Sequence, residues 1–195
     1  MVAMQRIVPE GTVKSAPALI LALALGPFAA GYFLSYLYRA VNAVVAPDLT
    51  AELGLSAGEL GLLTAAYLFG FAGFQIPLGV LLDRYGPRRV QTGLILIAAT
   101  GALIFAIAGS AISLSLGRML IGIGSAGGLM AGFKAVAIWV RPERRALANA
   151  IIMATGGLGI MMATVPAEWA SQTFGWRGMF FGLVVITVAV AALIF

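Results

Sequence analysis

Apolar stretches about twenty residues long, separated by short polar loops, dominate this sequence. A helix of about 20 apolar residues crosses the roughly 30 Å hydrocarbon core of a bilayer. Spans are expected at about Pro17–Val45, Ala57–Leu82, Val90–Ala108, Ile112–Val140, Leu147–Ala167 and Gly178–Phe195. Backbone in lipid must satisfy its own hydrogen bonds, so such stretches fold as helices. The expected fold class is therefore all-α, a polytopic membrane protein with six transmembrane helices. Composition supports this, because only 10% of residues are charged, against about 25% in soluble domains. The apolar run from Ala16 to Tyr38 is too long for the core of a signal peptide and reads as a retained first span.

The net charge of +5 could suggest a nucleic-acid partner, but the placement of the charges argues against one. Arg6 and Lys14 precede the first span; Arg84, Arg88 and Arg89 follow the second; Arg141, Arg144 and Arg145 follow the fourth. The loops on the other side contribute Arg177 alone. Basic loops stay cytoplasmic. This places the N-terminus in the cytoplasm of a multi-pass protein of the bacterial inner (plasma) membrane. The lipid bilayer is then its solvent.

Cys and His are both absent. That excludes disulfides, Cys/His metal sites and Ser-His or Cys-His catalysis within the chain. No metal or cofactor is expected, and the chain is not read as an enzyme. Two enzyme-like patterns fail on context. Gly122-Ile-Gly124-Ser-Ala-Gly127 fits G-x-G-x-x-G but lies inside an apolar span with no preceding strand. Gly54-Leu-Ser56-Ala-Gly58 fits a nucleophile elbow without any histidine to activate the serine, and Ser56 reads better as a helix cap.

The most specific motif is Gly79-Val-Leu-Leu-Asp83-Arg84-Tyr-Gly86-Pro-Arg88-Arg89, in the short loop after the second span. Gly79 permits close helix approach, Asp83 suits a helix N-terminus, and Gly86 permits a tight turn. The arginines suit lipid phosphate or acidic partners. Further along stand Arg118-Met-Leu-Ile-Gly122-Ile-Gly124, then Trp139-Val-Arg141-Pro-Glu143-Arg144-Arg145-Ala, then Phe174-Gly-Trp176-Arg177. The first resembles the G-x-x-x-D-R-x-G-x-R-R signature of the major facilitator superfamily. The other three resemble that family's R-x-x-x-G-x-G, W…E-R-x-A and F-G-W-R elements, in the family's order.

The resemblance implies a secondary transporter working by alternating access. This chain would be its N-terminal half, two inverted three-helix repeats, with a C-terminal six-helix half as partner. It implies a small-molecule substrate bound between the halves near mid-membrane, with a coupling ion as a further partner. It also implies that Gly79, Asp83, Arg84, Gly86, Arg88 and Arg89 form a conformational latch. The G-P-x-x-G-G element of drug-efflux members is missing from the fifth span, which reads Gly156-Gly157-Leu-Gly159 through Pro166. A drug/proton antiporter and a non-transporting receptor or assembly subunit remain as alternatives.

Candidate binding residues come from the first span. Arg39 lies about eight residues, or roughly 12 Å, inside its expected outer end at Pro47. At about 100° per residue, Tyr32, Ser35, Tyr36 and Asn42 fall within roughly 60° of it. One polar stripe on an apolar helix reads as a cavity lining, and a buried arginine as part of a ligand path. A guanidinium suits bidentate grip of carboxylate or phosphate, so the substrate is expected to be a small organic anion or zwitterion. Tyr67, Phe71 and Gln75, at i, i+4 and i+8 on the second span, could complete the wall, or the two aromatics could simply pack. Arg39 could instead snorkel outward or pair with Asp48. Tyr36-Leu-Tyr38-Arg39 resembles the first-helix arginine of organophosphate/phosphate antiporters and organic-anion symporters; the symporters often carry an acid where Tyr38 stands. Two further intramembrane cations are expected on the fourth span. Arg118 either snorkels or bonds neighbouring backbone. Lys134 falls opposite it, matching a basic position of the antiporter branch or reaching headgroups.

Overall fold

The computed structural model describes residues 18–195, with side chains described from residue 24 onward. Pro17, Arg6 and Lys14 lie outside the described residues. The described chain is helical: α1 (Ala18–Leu53), α2 (Ala57–Ile107), α3 (Ala111–Ser125), α4 (Gly128–Trp139), α5 (Pro142–Met162) and α6 (Val165–Ile194). Four stretches among the described residues are long and apolar enough to cross a membrane: Ala57–Ile107, Ala111–Trp139, Pro142–Met162 and Val165–Ile194.

The helices run past several expected span ends. α1 continues through Pro47 to Leu53, which puts Arg39 about 21 Å from the helix end instead of 12 Å. α5 begins at Pro142, five residues earlier than expected, with proline in its first turn, where the missing N–H costs nothing. α6 begins at Val165 but breaks at Gly175, so its second arm starts close to the expected Gly178. Ser56 caps α2 in a capping box with Glu59: the Glu59 N–H donates to the serine hydroxyl, and the Ser56 N–H donates to the Glu59 carboxylate at 2.8 Å.

α2 carries 51 residues in two arms. Gly86, at φ 78° and ψ 164°, leaves the helical region at the boundary. A straight helix would separate Tyr67 from Ala98 by about 46 Å. Instead, Gly122 of α3 touches Tyr67 and Phe71, while Gly124 touches Leu94 and Ala98. The two arms therefore lie side by side against α3, and the chain reverses at Gly86, where only glycine adopts this φ without strain. α6 has a matching break at Gly175, φ 72° and ψ 157°. Ahead of it Ser171 meets Asp48 of α1; beyond it Trp176 meets Glu52 and Thr187 meets Tyr38. The partners along α1 change direction across Gly175, as they would in a second reversal.

The expected fourth span is divided. Ala126 and Gly127 separate α3 from α4 but keep right-handed helical angles, so the axis bends without turning back. Two carbonyls at the bend are claimed by side chains of other helices. Ser35 Oγ of α1 donates to the Ser125 carbonyl at 3.0 Å, and Gln75 Nε2 of α2 donates to that of Ala126 at 3.4 Å. A break inside an apolar span is tolerable where protein groups take over the freed backbone polarity.

Glycine decides where the helices meet. A Cβ on Gly122 would lie 2.1 Å from the Tyr67 carbonyl oxygen, and one on Gly124 would lie 2.4 Å from the Ala98 nitrogen. Gly101 and Gly117 face each other's backbones, and a Cβ added to either would lie 2.7 or 2.8 Å from the other's carbonyl oxygen. Gly159 of α5 would meet the Phe33 carbonyl of α1 at 2.3 Å, beside a Thr155 hydroxyl that donates to the Ala29 carbonyl at 3.0 Å. Small residues let membrane helices reach van der Waals contact along their backbones.

Gly79 is different, because no atom within 4 Å would meet its Cβ. Gly122→Leu should therefore destabilise the bundle by at least about 1–3 kcal/mol. Gly79→Ala should be neutral or stabilise by up to about 1 kcal/mol. Thermal unfolding of the two variants in detergent checks the contrast.

Candidate functional site

A cavity of about 270 Å³ opens between α1, the first arm of α2 and the α3–α4 bend. Six of the seven expected binding residues line it: Tyr32, Tyr36 and Arg39 from α1, and Tyr67, Phe71 and Gln75 from α2. The remainder of the wall comes from Ser35, Ser125, Ala126, Leu129 and Met130. Ser125 to Met130 carry no pattern distinctive enough to be found in sequence; the bend brings them to the wall. Asn42 is not in this cavity. It lines a shallower one of about 620 Å³ toward the far end of α1, together with Thr64 and Thr164. There Asn42 Nδ2 donates to Thr64 Oγ1 at 3.3 Å. Arg39 borders both cavities.

Arg39 is exposed within this bundle, and among the described residues it forms no hydrogen bond or salt bridge. The alternative partner, Asp48, accepts the Ser171 hydroxyl at 2.7 Å. Arg39 is thus a cation held on a rigid helix beside a cavity, with its donors available. No Asp or Glu lines either cavity.

Arg118 has the opposite setting. It is 1% exposed, so it does not snorkel. Its Nη1 donates to the Tyr38 carbonyl at 2.8 Å, and its guanidinium lies 4.8 Å from the Tyr67 ring centroid. A desolvated cation–π contact contributes about 2 kcal/mol. Arg118 Nε has no partner among the described residues. The side chain ties α3 to α1 and backs the ring that forms one wall of the cavity.

Residues of the signature loop gather at the opposite end of the bundle from Glu52. Asp83 pairs with Lys134 of α4, so Lys134 meets a carboxylate within the chain. The Asp83 side chain is 75% exposed, and such pairs contribute under about 1 kcal/mol. Arg88 Nε donates to the Ile194 carbonyl at 2.8 Å, and Arg84 lies against the neighbouring Tyr85 ring. Arg89 reaches a groove with Tyr85 and Phe74. Arg145, read in the sequence only as a loop charge and motif residue, has a structural role. Its Nε and Nη2 donate to the Val140 and Ala137 carbonyls at 2.9 and 2.7 Å, closing the C-terminal end of α4.

A clasp joins three helices at the other end. The Glu52 carboxylate accepts from Trp176 Nε1 at 2.6 Å and from Arg177 Nη2 at 2.9 Å. Arg177 Nη1 also donates to the Ala106 carbonyl at 2.8 Å. The Trp176 hydrogen bond, then those from Arg177, hold the Glu52 pKa below its ordinary value. A depressed carboxylate pKa contributes stability above the unfolded value, and that stability is lost as pH falls through the folded one. Acidification should therefore loosen the clasp, and Glu52→Gln should flatten the acid limb of the melting-temperature profile. Thermal unfolding of both proteins across the acid range, with Trp139 and Trp169 replaced by Phe so that Trp176 reports, makes the check.

Comparison with known proteins gives a consistent result. Residues 28–195 match the profile of the Major Facilitator Superfamily. The chain is 30% identical over 156 residues to a probable sulfoacetate transporter of Cupriavidus necator, covering 80% of this chain and 36% of the relative. It is 34% identical over 128 residues to a nitrate/nitrite transporter of a Picosynechococcus species, covering 66% of this chain and 24% of the relative. It is 29% identical over 150 residues to a hexuronate transporter of Escherichia coli, covering 77% and 35%. The chain thus spans a quarter to about a third of the length of these curated relatives.

Proposed function

The chain belongs to the Major Facilitator Superfamily, and from that membership we propose that it forms one six-span half of a secondary transporter for a small organic anion. Alternating access exposes the cavity at Arg39 to each side in turn. The observation that carries this reading is Arg39 itself. It is a mid-helix guanidinium at a cavity mouth, without an ionic partner among the described residues and without an acid in the cavity wall. Keeping a charge at such depth is costly, and such residues serve ligand or ion paths. An anionic substrate would supply the missing countercharge. The names of the relatives support this, since sulfoacetate, nitrate and hexuronate are all anions.

The paired reversals at Gly86 and Gly175 support a two-repeat arrangement within this half. The cytoplasmic side would be the end carrying Arg84, Arg88, Arg89, Arg141, Arg144 and Arg145, by the positive-inside rule. The second half would close the open side of the cavity, so this half alone is not expected to transport.

In the complete transporter, Arg39→Lys should cut substrate affinity at least tenfold while expression is unchanged, because lysine lacks the planar two-donor fork. Uptake into proteoliposomes and equilibrium binding measure this; near-normal affinity would remove Arg39 from the site. For the latch, Asp83→Asn should leave melting within about 0.5 kcal/mol, since the Lys134 pair is exposed. It should also change how readily the outer cavity is labelled. Unchanged labelling together with unchanged transport would reduce the signature loop to a plain turn.

A further inference from the structure

Three of the polar side chains lining the Arg39 cavity are committed to the protein. Ser35 Oγ and Gln75 Nε2 donate to the carbonyls at the α3–α4 bend, and the Tyr67 hydroxyl reaches the Ser35 carbonyl at 3.5 Å. Ser125 Oγ is buried without a hydrogen-bond partner among the described residues. What remains for a ligand is Arg39, the phenolic hydroxyls of Tyr32 and Tyr36, the Ser125 hydroxyl, Gln75 Oε1, and apolar surface from Phe71, Leu129 and Met130.

The aromatic surface has a definite form. Tyr36 stands edge-on to Tyr32, with centroids 4.9 Å apart and planes at 71°. Phe71 lies nearly parallel to Tyr67, at 18° and 6.2 Å, one helical turn along α2. Arg118 fixes Tyr67 from behind. Tyr67 is buried, whereas Phe71 and Tyr36 are half-buried and offer ring surface to the cavity. Cavities of about 150 Å³ already accept benzene, so about 270 Å³ leaves room for one ring and a carboxylate.

We propose that this cavity selects an aryl carboxylate, whose carboxylate pairs with Arg39 and whose ring lies against Phe71 and Tyr36. The inference rests on the reading of Arg39 as the anion-binding group. A polyhydroxylated acid would bring several hydroxyls to a wall built largely of aromatic and apolar surface, where Ser35 Oγ and Gln75 Nε2 are already bonded, and unmatched polar groups are penalised on burial. An organic cation would suit aromatic walls alone. Here Arg39 lines the cavity, Arg118 sits behind Tyr67, and no acid offsets them.

The test uses the complete transporter in detergent and three probes: benzoate, cyclohexanecarboxylate and D-glucuronate. Benzoate should bind at least tenfold tighter than glucuronate and several-fold tighter than cyclohexanecarboxylate. Phe71→Leu should weaken benzoate about fivefold, the size of one aromatic pair, and leave cyclohexanecarboxylate within about twofold. Phe71→Tyr keeps a ring and should retain benzoate affinity, which separates stacking from damage to the fold. Glucuronate binding tighter than benzoate, no benzoate binding, or equal loss of both cyclic acids in Phe71→Leu would each overturn the proposal. Arg39→Lys distinguishes the two levels. If it abolishes glucuronate binding while benzoate is the weaker probe, the anion site stands and the aryl preference falls. If it changes no affinity, the Arg39 reading itself fails.

Discussion

Backbone contact at glycine is the constraint on which the rest of this structure depends. Gly122 and Gly124 let α3 press between the two arms of α2 until main-chain atoms touch. No apolar driving force separates a helix from lipid, so membrane helices associate through packing and hydrogen bonds, and distance of approach matters most. That seating fixes the depth of Arg118, four residues before Gly122. Arg118 in turn reaches the Tyr38 carbonyl and covers one face of Tyr67. The cavity wall is therefore set by how closely α3 seats against the backbone of Tyr67 and Phe71, behind the rings that line it.

Arg118 and Arg39 show how environment divides two identical side chains. Arg118 is enclosed, bound to backbone and stacked on a ring, which makes it part of the frame. Arg39 shares α1 with Tyr38 but projects to the cavity side, where none of the described residues meets its charge. The break between α3 and α4 links them. It exposes two carbonyls and draws in Ser35 and Gln75, so one hydroxyl and one amide N–H of the cavity wall turn to the protein.

The two ends of the bundle are fastened by different chemistry. At one end Asp83 and Lys134 form an exposed pair, easily exchanged for other partners. At the other, Glu52 gathers Trp176 and Arg177, and Arg177 reaches Ala106, joining α1, α2 and α6.

The sequence by itself determined the helical class, the membrane setting, the family and the residues about Arg39. Apolar length, loop charge, ordered motifs and the 100° stripe each depend on local chemistry. The stripe put Tyr32, Tyr36 and Arg39 on one face, and they line one cavity, because helical periodicity is fixed by the backbone. Asn42 stands a turn further along α1 and shares the second cavity with Arg39, an axial separation that a helical wheel does not resolve. Tertiary structure alone decided the overrun of α1 past Pro47, the bend at Ala126, the Asp83–Lys134 pair and the burial of Arg118. Each of these depends on which atoms a neighbouring helix brings within a few ångströms, and no pattern along one chain encodes that distance.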